Sequence, residues 1–289
     1  MKVDNAIIMA AGTSSRFVPL SYETHKGLIE VKGEILVERQ IRQLREAGIK
    51  DIIIVTGYKA EGFEYLKDKY GVRLINNPDF LIRNNNASIY AVRNYLSNSY
   101  ICSVDNYFAI NPFLSEVDES YYAAQFSEGE TKEWCITTDE YGYIDKVSIG
   151  GRNSWYMMGH TFWSKDFSNR FIKILDSVYD LESSKNLLWE DIYIRHLDTL
   201  KMKIRKYRQN DIFEFDTLDE LRIFDSSYFR DTRSTILKKL CNELHCHESD
   251  ILNIKAIKMD TNAADGFSFD TPFGHYSYDY ASNRLEKTI

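Results

Sequence analysis

Three short apolar runs alternate with two stretches of helical period in the first 80 residues. The runs are NAIIMAAG (5–12), DIIIVTGY (51–58) and VRLINNP (72–78). They lack the polar alternation of a strand with one wet face, so they read as strands covered on both sides. Between them, ILVERQIRQLREAG (35–48) puts Ile35, Leu36, Ile41 and Leu44 on one helical side and stops at Gly48. KAEGFEYLKDKYG (59–71) is a second helix, closing on Gly71. Strand, helix, strand, helix, strand at this spacing leaves few topologies: the sheet is mostly parallel, and ligands sit beyond the carboxyl ends of its strands. The end of the first strand leads into residues 12–26.

The remaining pattern extends this α/β domain to about residue 230. A helix is expected over 86–97, then the apolar run YICSVDNYF (100–108), broken by Asp105. Four antiparallel strands follow within 120–165: YYAAQFS, EWCITTD, IDKVSIGG and SWYMMGHTFWS. Helices are expected near 166–178 and 186–197, a strand in KMKIRKY, and a last helix from Asp216. Residues 231–289 read as a small α+β appendage, with a helix over 233–247 and three short strands, IKAIKMD, GFSFDTP and HYSYDYA.

The net charge of −7 and the absence of a dense basic run argue against nucleic acid as a partner. Four scattered cysteines, Cys102, Cys135, Cys241 and Cys246, do not outline a disulfide framework. Cys241, His245, Cys246 and His247 match no zinc spacing and read as a helix end. The opening apolar run is too short for a signal peptide, and none is long enough to span a bilayer, so a cytoplasmic location is expected.

In an acidic chain, local cations are informative. Ala10, Ala11, Gly12, Thr13, Ser14, Ser15 and Arg16, followed by Lys26, combine a strand-to-turn passage, hydroxyl donors, a guanidinium and an ammonium. Backbone N–H groups and such side chains bind phosphate oxygens. With one glycine, the loop fits a phosphate cradle and an ordinary turn with exposed cations equally. Asp105, at the end of an apolar strand, suits a divalent cation; a turn cap with Asn106 competes. Glu190, Asp191, Glu214 and Asp216 are further carboxylates. Glu190 and Asp191 point about 100° apart on a helix, so one of them faces a site, and DTLDEL also reads as a helix start around Asp216. Trp134, Trp155, Tyr156, Trp163 and Trp189 suit either a core or the aromatic walls of a quaternary-ammonium site.

Met9–Arg16, Pro19-Leu20 and His25-Lys26 together resemble the sugar-nucleotidyltransferase signature LAAG-x-G-[ST]-R, PL, PK. DIIIVTGYKAEGFEYLKDKYGVRLINN, SYICSVDNYF, TKEWCITTD, LLWEDIYI and IFEFDTLDELR narrow the resemblance, over about 1–230, to bacterial CTP:phosphocholine cytidylyltransferases. That resemblance implies a Rossmann-like sheet with an antiparallel insertion, and Mg²⁺-dependent transfer of CMP from CTP to phosphocholine. It assigns Ala10–Arg16 and Lys26 to the triphosphate, with Arg16, Lys26 and Asp105 catalytic. Asn85, Asn86 and Ser88 fall to the nucleoside, Trp134, Tyr156 and Trp189 to the choline cage, and Asp105 with Glu190 or Asp216 to the metal. Phosphoethanolamine, 2-aminoethylphosphonate or a sugar 1-phosphate are alternative acceptors, and a non-catalytic nucleotide-binding protein is an alternative of another class.

Two positions depart from the signature. Ser14 replaces a glycine, which is tolerable if its φ is below zero, and His25 replaces a proline, which frees φ and would loosen Lys26. The tail is similar to the opening hairpin of choline-kinase-like domains, and reads as a remnant or packing module. Oligomeric state has no sequence signature here.

Overall fold

The computed structural model describes residues 1–259 and 263–288. Packing divides the chain into two compact units, each made of two stretches of sequence: Met1–Gly12 with Leu36–Glu214, and Thr13–Ile35 with the residues from Phe215 onward. The sequence pattern places a boundary after residue 230; by packing, the loop after Gly12 groups with the C-terminal part.

The first unit carries a seven-stranded sheet. Its strands are β1 (Asn5–Ala10), β2 (Ile52–Thr56), β3 (Arg73–Asn76), β4 (Ser99–Ser103), β6 (Tyr121–Thr138), β7 (Ile144–Trp163) and β8 (Lys203–Tyr207), while β5 (Asn106–Phe108) pairs separately with β9 (Ile212–Glu214). The order is β8-β6-β7-β4-β1-β2-β3, with β1 parallel to both β2 and β4. This is the expected α/β architecture with its antiparallel insertion. Ile7, Ile8, Ile53 and Ile54 have no exposed surface, which is why these runs show no polar alternation. Helices α1 (Leu36–Glu46), α2 (Tyr65–Tyr70), α3 (Asn86–Val92), α4 (Lys165–Val178) and α5 (Trp189–Ile194) complete this unit.

Several boundaries moved. The 86–97 helix is α3 followed by a 3₁₀ turn at Arg93–Tyr95, and the 100–108 run splits into β4 and β5 around Asp105. The four strands expected within 120–165 are two long ones. Gly129 and Gly150, at φ 82° and 77°, lie within them beside register shifts instead of ending them, and the reversal is at Asp139–Gly142. The helix expected over 186–197 is reduced to α5.

The second unit contains helices α6 (Leu218–Phe224) and α7 (Thr235–Leu244) and an antiparallel sheet of β10 (Leu252–Ile257), β11 (Gly266–Thr271), β12 (Gly274–Asp279) and β13 (Arg284–Thr288). The fourth strand, RLEKT, is charged and exposed, so hydropathy did not reveal it. Asp260 of the IKAIKMD segment lies outside the described residues. Arg222, 1% exposed, donates to the carbonyls of Ile251 and Glu248 at 2.6 Å each, tying α6 to the segment before β10. Among the described residues no helix is long and apolar enough to cross a membrane.

Candidate active site

In the first unit, β1 runs out into Ala10, Ala11 and Gly12. The Tyr58 N–H donates to the Ala11 carbonyl at 3.1 Å. Gly57 permits this approach, because a Cβ there would lie 2.9 Å from the Ala11 oxygen and 2.8 Å from the Phe80 ring. Gly12 is different. It is exposed, has no positive φ, and a Cβ on it would meet no protein atom within 4 Å. Its missing side chain therefore serves no packing need of this unit.

Asp105 sits in the turn between β4 and β5, where Ser103 Oγ donates to its Oδ1 at 2.6 Å. Three polar side chains of α1 fix that turn. Gln40 Nε2 donates to the carbonyls of Ser103 (2.8 Å) and Asn106 (2.9 Å), Gln43 Nε2 to that of Phe108 (3.0 Å), and Arg39 also grips Phe108 while its guanidinium lies 4.3 Å over Tyr107. Gln40 and Gln43 are buried, and the sequence reading missed both. Polar residues on a helix's covered face interrupt the apolar pattern, and only the carbonyls opposite them reveal their purpose.

Asn85, Asn86 and Ser88 each make side-chain hydrogen bonds within the protein. Asn85 Oδ1 accepts from Trp189 N (2.7 Å), and its Nδ2 donates to Glu190 Oε2 (3.1 Å). Asn86 Nδ2 donates to the carbonyls of Ser184 (3.0 Å) and Leu187, and Asn77 Nδ2 donates to Ser88 Oγ (3.2 Å). These side chains anchor the segment leading into α5.

Trp189 is a further correction. It is 1% exposed, stacked with Tyr122 at 5.8 Å and edge-on to Trp163 at 5.1 Å, so it belongs to the core and offers no face to a ligand. Glu190 beside it is already engaged with protein donors. Its carboxyl group is partly buried, holding Asn85 and the Tyr122 hydroxyl, which donates at 3.3 Å. Burial pushes this carboxyl up to about 7, against the lowering effect of those two donors.

Trp134 and Tyr156 remain half-buried. The Tyr156 hydroxyl donates to Gln125 Oε1 at 3.1 Å. Its phenol is raised first by burial, then by the carboxylates of Glu133, which precedes Trp134 in sequence, and Glu214. Glu190 and Glu214 likewise add to the effect of burial on Tyr122. The carboxylates of Glu190 and Glu214 thus act on Tyr122, and those of Glu133 and Glu214 on Tyr156; Tyr122 was not anticipated. Among the described residues, no three or more His, Cys, Asp or Glu side chains gather as a metal-holding group.

The second unit holds Thr13–Ile35. Ser14 has φ 50°, in the left-handed region, contrary to the negative φ on which its tolerance was premised. It therefore carries about 1 kcal/mol of backbone strain that glycine would not. We expect Ser14→Gly to stabilise the protein by about 0.5 kcal/mol, the strain relief less the entropy that glycine adds to the unfolded chain. Urea denaturation checks this, and a variant less stable than its parent contradicts it.

His25 does not loosen Lys26. Its φ of −58° is a proline-like value, and its Nδ1 accepts from Gly27 N at 3.0 Å, capping the 3₁₀ turn Lys26–Leu28. Lys26 is 3% exposed, with Nζ 5.5 Å from the Phe17 ring centroid and 3.7 Å from Asp216 Oδ1. Arg16, largely exposed, pairs with Asp216 Oδ2 at 2.8 Å. Thr217, not Asp216, caps α6, in a capping box with Glu220, which leaves the Asp216 carboxylate to the two cations.

The model of the MobA-like NTP transferase domain matches residues 6–138. The choline-phosphate cytidylyltransferase of Streptococcus pneumoniae is 33% identical over 217 residues, covering 75% of this chain and 95% of that one. The 2-aminoethylphosphonate cytidylyltransferase of Lancefieldella rimae is 34% identical, covering 78% and 93%. A solved CTP:phosphocholine cytidylyltransferase from Streptococcus pneumoniae superposes with a TM-score of 0.75 at 32% identity, over 78% of this chain and 99% of that one.

Proposed function

The chain belongs to this family of cytidylyltransferases, nucleotidyltransferase enzymes of the EC 2.7.7 type, and on that premise we propose that it transfers CMP from CTP to phosphocholine, giving CDP-choline and pyrophosphate. The acceptor assignment rests on the similarity to the choline-phosphate cytidylyltransferase, and the half-buried rings of Trp134 and Tyr156 support it. Aromatic faces and negative charge attract a quaternary ammonium, which has no N–H to donate.

A phosphate oxygen of the acceptor attacks the α-phosphorus of CTP in line with the departing pyrophosphate. That oxygen is already nucleophilic, so no strong base is required, and catalysis is positioning plus neutralisation of charge. Gly12 leaves room for phosphate to approach the backbone, and Arg16 and Lys26 supply cations to the triphosphate. Asp105 and Asp216 each offer a carboxylate, a hard oxygen donor of the kind Mg²⁺ takes, and Mg²⁺ completes its shell with phosphate and water. When bound, Mg²⁺ neutralises charge on the phosphates. Glu190, already engaged with Asn85 and Tyr122, is assigned no metal; Asn85, Asn86 and Ser88 support the segment around it.

The test is pyrophosphate release from CTP and Mg²⁺ with phosphocholine, phosphoethanolamine or 2-aminoethylphosphonate. Phosphocholine is expected to give the highest kcat/KM. Preference for a primary amine overturns the acceptor assignment, and CTP binding without turnover of any acceptor marks a non-catalytic protein. Trp134→Ala is expected to raise KM for phosphocholine about tenfold, leaving KM for CTP unchanged. Gly12→Ala is expected to raise KM for CTP at least about tenfold at an unchanged melting temperature, since its Cβ meets nothing in the protein. A lowered melting temperature would place the need for glycine in the fold.

A further inference from the structure

Cys241 and Cys246 lie outside all of this chemistry. Both are free thiols. Cys241 is in the last turn of α7, and His245 behind it is left-handed at φ 52°, so the helix ends in a tight reversal. The N–H groups of His245 and Cys246 both return to the Cys241 carbonyl, the second at 3.0 Å. In helix endings of this kind, the side chains at these two positions come into contact, usually as an apolar pair. Here both are thiols, and each is among the influences on the other's titration. They line one cavity of about 540 Å³ together with Phe229, Lys238 and His247. Cys246 is partly exposed, whereas Cys102, Cys135 and Cys241 are buried.

We propose that Cys241 and Cys246 form a reversible disulfide site, a dithiol that a small-molecule disulfide oxidises to an intramolecular bond across the end of α7. Cys246, the more accessible sulfur, reacts first. Its thiol releases a proton, and the thiolate attacks one sulfur of the small disulfide, breaking that S–S bond and expelling one thiolate, which takes up a proton. Cys241 then releases its proton, and its sulfur displaces the second small thiol from Cys246. Two protein thiols are oxidised, one small disulfide is reduced to two thiols, and protons balance.

Burial pushes the Cys241 thiol up to about 12 and raises that of Cys246, so closure is slow at neutral pH and faster in alkali. The site sits on a helix with a second attachment. At the other end of α7, the Glu23 carboxylate accepts from Ser234 Oγ, Thr235 N (2.8 Å), Thr235 Oγ1 (2.7 Å) and Ile236 N (3.1 Å), and Glu23 is three residues before Lys26. A bond at Cys241 would therefore stiffen the helix that anchors the segment leading to Lys26.

The experiment treats the full-length protein with oxidised glutathione and follows thiol count and intact mass. Two of the four thiols should disappear, with the mass falling by two hydrogens, and dithiothreitol should restore both. Cys246→Ser should keep its remaining thiols, and Cys241→Ser should stop with one glutathione attached. A wild-type protein that retains one glutathione, or that keeps all four thiols, overturns the proposal. Cys246→Ser alters a partly exposed position, so its comparison with wild type stands even if Cys241→Ser, at a buried site, fails to fold.

Discussion

Replacing Lys26 with alanine is expected to lower kcat/KM for CTP by about 10²–10³-fold, the usual loss when one pre-aimed donor to developing charge is removed. The ammonium is 3% exposed, its turn is capped by His25, and Asp216 and the Phe17 ring flank it. Little side-chain freedom is left to lose on meeting a triphosphate, so its attraction goes into the reaction. The Asp216 contact is long at 3.7 Å, and Asp216 keeps Arg16 at 2.8 Å after the substitution. Arg16→Ala should cost less, about tenfold, since 70% of that side chain is exposed and water screens its charge. Steady-state kinetics on both variants decides the matter. A Lys26→Ala enzyme within tenfold of wild type would remove Lys26 from the chemistry.

The parts of this protein legible in its sequence are those set by long patterns. Both-sides-buried strands announce themselves as unbroken apolar runs, which is why β1, β2 and β4, and with them the location of Asp105, were read correctly. What was not legible depends on what a residue meets in space. Ser14 looked harmless because a single φ leaves no trace in composition. His25 looked like a defect because the loss of proline is visible in sequence, while the ring's bond to Gly27 N is not. Trp189 carried the same aromatic signal as Trp134, yet Tyr122 and Trp163 enclose it, and no local pattern separates a core tryptophan from one that lines a site. Glu133 and Glu214 gain meaning only from their influence on Tyr156, since they come from strands far apart in sequence.

Glu190→Gln is expected to abolish a fall in stability between about pH 4.5 and pH 7. The folded carboxyl titrates at about 7, because burial outweighs the donors Asn85 and Tyr122, whereas the unfolded chain titrates at the ordinary 4.5. In that window the unfolded chain has released the proton and the folded protein still binds it. Stability therefore drops as pH rises, and the full loss is in place above the folded value. The gap corresponds to about 3 kcal/mol, at about 1.4 kcal/mol per pH decade. Glutamine keeps the shape, an acceptor for Asn85 and a partner for the Tyr122 hydroxyl, but never ionises. The variant should thus match wild type near pH 4 and exceed it by about 3 kcal/mol at pH 8, as read by urea denaturation at the two pH values. Parallel pH profiles for the two proteins would show that the carboxyl is not held in its neutral form. The same substitution separates stability from chemistry: if Glu190 only braces Asn85 and Tyr122, the Glu190→Gln enzyme keeps its KM for CTP and for the acceptor, whereas a carboxylate acting on the bound cation would show as a raised KM for phosphocholine alone.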